Sequence, residues 1–93
     1  VFILYIITKK KIMAITSERI EGKKISVDIK SSNIKSALYD TESELLTVTF
    51  NNGTIYGYEK VPWEIFTKFR LSDSQGAYLN STIKKNYQYQ KIA

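Results

Sequence analysis

The sequence predicts a small α+β protein, an antiparallel β-meander packed by two C-terminal helices. Three observations carry this reading. Apolar residues recur at period two as far as Tyr58, an Asn-Gly pair separates two such runs, and after Pro62 the apolar spacing lengthens to that of a helix.

The first segment opens Val1-Phe2-Ile3-Leu4-Tyr5-Ile6-Ile7, continues through Thr8 to Lys9, Lys10 and Lys11, and only then reaches Met13. A membrane-spanning helix needs roughly 20 apolar residues, so this stretch is too short. A secretory signal places its positive charge before the apolar run, whereas here the lysines follow. Three readings fit residues 1–12: read-through from upstream of a start at Met13, a buried edge strand, or a basic membrane-surface or partner-binding tag. The first is the working expectation, which makes residues 1–12 a doubtful extension, 13–30 an N-terminal strand region and 31–92 the domain proper.

Ile25, Val27 and Ile29 alternate with Lys24, Ser26, Asp28 and Lys30, the pattern of a half-buried strand. Glu21-Gly22-Lys23 offers a turn, so Ile15 to Ile20 is a candidate partner strand. Ser31-Ser32-Asn33 interrupts, and Ile34 to Tyr39 resumes. After the polar turn Asp40-Thr41-Glu42-Ser43, Leu46, Val48 and Phe50 point inward, with Thr47 and Thr49 outward. Asn51-Asn52-Gly53 predicts a tight hairpin whose two central residues take positive φ. Thr54 to Tyr58 returns with Tyr56 and Tyr58 on one face. Three strands are expected, plus an N-terminal strand or hairpin.

Pro62 suits a first helical residue, Glu64 the positive end of the helix dipole, and Lys68 and Arg70 the negative end. Trp63, Ile65, Phe66 and Phe69 supply an apolar face for a helix from Pro62 to Leu71, with Trp63, Phe66 and Phe69 as core. A second helix runs to about Asn86. Two caps compete for its start: Ser72 with Gln75 as a capping box, or Ser74 with Gly76 in the first turn. Leu79, Ile83 and Tyr87 follow at four-residue spacing as its buried stripe. Tyr87 to Ile92 alternates, as a terminal strand or an extended segment across the sheet.

Composition narrows the function. The 93 residues contain no cysteine and no histidine, which excludes disulfides, thiolate nucleophiles, Cys/His zinc sites and histidine general bases. A binding module without catalysis, cofactor or metal is expected. Asp40, Glu42 and Glu44 cluster on a turn but match no calcium-loop pattern, so a solvated turn is expected there. The net charge of +5 is uneven. Lys9, Lys10 and Lys11 supply three of those charges. Residues 31–59 hold one base, Lys35, against Asp40, Glu42, Glu44 and Glu59, while 74–93 hold Lys84, Lys85 and Lys91 and no acid. The C-terminal end also carries Tyr78, Tyr87 and Tyr89. Interleaved lysine and tyrosine can neutralise phosphates and stack bases.

Ser32-Asn33-Ile34, Ala37-Leu38-Tyr39-Asp40, Leu46, Val48, Phe50, Gly53, Tyr56, Tyr58, Val61-Pro62, Ser74-Gln75-Gly76, Tyr78, Asn80, Ile83-Lys84 and Tyr87 together give a pattern that resembles the KTSC domain family. That family takes its name from a C-terminal extension of some lysyl-tRNA synthetases and also occurs as small free-standing bacterial and phage proteins. The resemblance spans residues 31–92. It implies three strands followed by two helices, and its link to tRNA charging suggests an RNA-facing role, although a fold does not fix a function. Where the family pattern carries arginine this chain has Lys84, a point charge in place of a planar fork.

The expected ligand is therefore phosphate-bearing, RNA or another nucleic acid first. A small nucleotide held between helices and sheet, or at an interface with a second copy of the chain, is the alternative, and a protein-interaction module is the third. Ser74, Gly76, Asn80, Lys84 and Tyr87 are the candidate contacts, with Tyr78, Lys85, Tyr89 and Lys91 as a surrounding patch. Free N–H groups at the helix start, with Ser74 and Gly76, suit an anion. At about 1.5 Å per residue, Lys84 stands roughly 15 Å from Ser74, so only an extended ligand reaches both. The expected setting is cytoplasmic, with no membrane partner.

Overall fold

A computed structural model describes residues 15–93; the expectations for residues 1–12 and for Met13 and Ala14 lie outside the described residues. Six strands, β1 (Ile15–Glu21), β2 (Lys24–Ile29), β3 (Ile34–Asp40), β4 (Leu45–Phe50), β5 (Ile55–Tyr58) and β6 (Tyr89–Lys91), form one antiparallel sheet in the order β1-β2-β3-β4-β5-β6. The N-terminal hairpin and the C-terminal strand both join the three-strand meander, so the described sheet has six strands where the sequence predicts three plus an N-terminal strand or hairpin. The C-terminal strand is not fixed by its own residues, because β6 is only three residues long and is exposed throughout.

The turns follow local chemistry. Gly22 takes φ +62 at the first position of the β1–β2 loop, the requirement of a type II′ turn. The β4–β5 connection corrects the sequence reading: only Gly53 has positive φ (+92). Its N–H donates to the Phe50 carbonyl at 2.9 Å, and the Phe50 N–H to the Thr54 carbonyl at 2.8 Å. A three-residue loop closed by a left-handed glycine replaces the two-residue turn, leaving both asparagine side chains on a wider arc. In the β3–β4 turn Asp40 Oδ1 accepts from the backbone N–H groups of Glu42 and Ser43 at 2.9 and 3.1 Å, which holds its carboxyl below the usual carboxylate range.

Paired residues share a face. Ile25–Tyr39–Leu46–Tyr58 and Val27–Ala37–Val48–Tyr56 therefore form two rows on one side. The helices cover this side. Helix α1 (Trp63–Leu71) starts after Pro62, which is its N-cap and not its first residue, and buries Phe66 and Phe69. Phe66 stacks on Tyr39, ring centres 4.4 Å apart and planes 8° from parallel. The buried Tyr39 hydroxyl donates to the Val61 carbonyl at 2.7 Å, which ties the strand to the helix entry. Arg70 reaches β1, pairing with Glu18 at 2.7 Å while lying over the rings of Trp63 and Phe66.

The second helical segment comprises α2 (Gln75–Tyr78), a π-helical turn (Leu79–Ile83) and α3 (Lys84–Asn86). Ser74 is its cap, its Oγ accepting from the Ala77 N–H at 3.2 Å. Ser72 instead ends α1, its hydroxyl donating to the Phe69 carbonyl at 2.9 Å, so no Ser72 capping box forms. The wide turn has a packing reason. On an α-helix a strict four-residue repeat drifts by about 40° per step, and a turn with one residue more removes most of that drift. Leu79 and Ile83 are both fully buried, with Tyr87 packed against the same core.

Candidate functional site

A strip of aromatic rings lies where β5 meets β6. Their register pairs Tyr58 with Tyr89 and Tyr56 with Lys91, so these four side chains share the helix-bearing face. Phe50 meets Tyr56 edge-on at 5.8 Å and 90°, Tyr56 meets Tyr89 at 5.7 Å and 80°, and Tyr89 lies 5.3 Å from Tyr58. Tyr58 is buried, Phe50 and Tyr56 are half-buried, and Tyr89 is 42% exposed. The strip is thus anchored at the buried Tyr58 and reaches solvent at Tyr89.

Burial, then the neighbouring Tyr89 and Tyr56 hydroxyls, pushes the Tyr58 phenol up to about 12. Tyr39 and Tyr78 are also raised, chiefly by burial. A tyrosine whose folded value exceeds its unfolded value near 10 gives its full stability below about pH 10 and loses it as pH rises towards about 12. The melting midpoint should therefore fall steeply between about pH 10 and 12, and Tyr58→Phe should flatten that fall. An unchanged midpoint across this range would contradict the assignment.

Phe50 also belongs to a cleft of about 360 Å³. The β2–β3 loop contributes Ser32 and Asn33, the β4–β5 loop Asn51 and Asn52, and the helical segment Gly76, Leu79 and Asn80. Two bonds weld the loops together: the Asn51 N–H donates to the Asn33 carbonyl, and Asn51 Nδ2 to the Ser31 carbonyl, each at 2.8 Å. Asn52 Oδ1 accepts from the Thr54 N–H at 2.9 Å, leaving its NH₂ unused. Asn33 and Asn80 make no side-chain hydrogen bond among the described residues. Among the described residues no charged side chain lines the cleft. Asn80 sits within the π-helical turn, the kind of irregularity that often marks a functional site.

The residues singled out by sequence divide into three groups. Gly76 and Asn80 come together in the cleft. Tyr89 and Lys91 join the strip, with Lys84 and Lys85 exposed on α3 shortly before it in the chain. Ser74, Tyr78 and Tyr87 lie elsewhere: the Ser74 hydroxyl is engaged in capping, and the two tyrosines pack against the core. Among the acidic turn residues, Glu42 pairs with Lys23 at 3.0 Å.

Sequence reading missed Phe50 and Tyr56 as surface rings and Asn33, Asn51 and Asn52 as cleft walls. It read the asparagines only as turn formers, and their meeting depends on pairing across the sheet. It also missed the work of Gln75. That side chain is 1% exposed and its Nε2 donates to the Arg70 and Ser72 carbonyls at 3.1 and 3.3 Å, closing the C-terminus of α1 onto the start of α2.

A family model described as the KTSC domain matches residues 30–87. An uncharacterized protein of Stutzerimonas stutzeri is 37% identical over 67 residues, which are 71% of this chain and 94% of that protein. A lysine–tRNA ligase of Trichormus variabilis is 30% identical over 64 residues, 69% of this chain but only 11% of the ligase. The crystal structure of a KTSC domain protein from Yersinia pestis matches with a TM-score of 0.68 at 28% identity, covering 75% of this chain and 99% of that one.

Proposed function

Because the chain belongs to the KTSC domain family, we propose that it is a non-catalytic module that binds single-stranded nucleic acid, RNA foremost, along the Phe50–Tyr56–Tyr89 strip. One observation carries this reading: the rings are contiguous, share a face with Lys91 and continue through Phe50 into a neutral, amide-lined cleft. Successive rings stack successive bases whatever their identity, while Lys84, Lys85 and Lys91 neutralise the backbone. The lack of histidine and cysteine supports binding over catalysis. The similar segment in a lysine–tRNA ligase adds support for an RNA setting, and the cytoplasm is the corresponding location. Among the described residues no helix is long and apolar enough to cross a membrane.

The cleft volume also favours a second reading, capture of a single nucleotide. Titration with an eight-nucleotide single-stranded RNA at two salt concentrations separates the two, together with the 260/280 nm absorbance of the purified protein. Three neutralised phosphates at about 0.7 each predict a log–log salt slope of about −2. Weak salt dependence with a co-purified ultraviolet absorber would favour the nucleotide. Neither RNA binding nor an absorber would sink both and leave protein interaction.

A further inference from the structure

We infer that the asparagine-lined cleft is a recognition site for one unpaired nucleobase, with adenine the preferred base. This rests on the nucleic-acid reading above and assigns the cleft a separate role within it. The lining is neutral, so the cleft does not take the phosphate that a basic pocket would; a base is the neutral part of a nucleotide. Its walls are amides, whose adjacent donor and acceptor match the N6 and N7 edge of adenine. On the corresponding edge guanine presents two acceptors, N7 and O6, and calls for two donors, most often from arginine or lysine, neither of which is among the described residues lining the cleft. Asn33 and Asn80 have both edges of their amides available, and Phe50 supplies an aromatic wall that continues into the strip.

Gly76 points the same way. Glycine is a poor helix former, and its usual justifications are absent here. Its φ is not positive, and an added Cβ would meet only Asn33 Nδ2 at 3.7 Å, an ordinary contact. Neither backbone strain nor close packing therefore requires glycine at this position. What a methyl group would do is narrow the cleft beside Asn33.

The test uses the full chain and eight-nucleotide RNAs of uridine with one central position varied. Adenine at that position should bind about 5- to 150-fold more tightly than uridine, the range of one good bidentate pair. Gly76→Ala should reduce that preference to less than about twofold and leave the melting midpoint equal or up to about 5 °C higher. Asn80→Ala, at an exposed position, should lose the preference as well and guards against a folding artefact in the first variant. Equal affinity for all four central bases, or a preference intact in both variants, would overturn the cleft assignment while leaving strip binding in place. Failure of every RNA to bind at low salt would overturn both.

Discussion

Phe66→Ala should remove a large share of the protein's stability at 25 °C. Phe66 is fully buried, stacks on Tyr39 and lies beside Phe69 and Trp63, so its ring is the joint between sheet and α1. Removing such a ring costs about 3–5 kcal/mol, because the lost transfer free energy is joined by the cavity left behind. A chain of this size has about 5–14 kcal/mol in total. The melting midpoint should drop by at least about 12 °C. Trp63→Ala is the control: Trp63 is 46% exposed, and losing its contact with Arg70 should cost less than half as much. Comparable losses from the two variants, read by thermal or urea unfolding, would show that α1 is not seated through Phe66.

The second large effect is on binding. Tyr56→Ala should weaken single-stranded RNA binding by about 5- to 150-fold, since stacking one base on a ring contributes about 1–3 kcal/mol. Tyr56 touches Phe50, Tyr58 and Tyr89, so its loss divides the strip, whereas Tyr89 lies at its exposed end. Tyr89→Ala should cost less, and Tyr89→Phe almost nothing, because the ring face and not the hydroxyl is the contact. Removing a lysine should act differently. Lys91→Ala should flatten the salt slope by about 0.7 and weaken all sequences alike. An unchanged affinity in folded Tyr56→Ala would remove the strip from the interface.

Period-two alternation made β2, β3 and β4 legible, because one face of each is buried and a one-residue slip would expose Ile25, Tyr39 or Leu46. Helix α1 was legible for the equivalent reason, with Pro62 and the charges at its two ends marking its limits. The π-helical turn was not: the Leu79, Ile83 and Tyr87 spacing was read as an ordinary stripe, although an unbroken four-residue repeat is itself the signal of a wider turn. Asn-Gly fixed the place of the β4–β5 turn but not its type, since Asn52 and Gly53 can occupy either loop. Of the site, Gly76, Asn80, Tyr89 and Lys91 were legible as residues. Their partners were not, because Asn33 meets Asn51, and Tyr56 meets Lys91, only through pairing between strands distant in the chain.

The central claim is that nucleic acid lies along the strip and into the cleft, and amide chemical shifts of the uniformly ¹⁵N-labelled full chain test it most directly. Titration with eight-nucleotide single-stranded RNA at low salt should move the signals of β5, β6, the β4–β5 loop and residues 76–80, and leave β1 and α1 unmoved. Shifts confined to β1 and α1, or none at an excess of RNA, would contradict it.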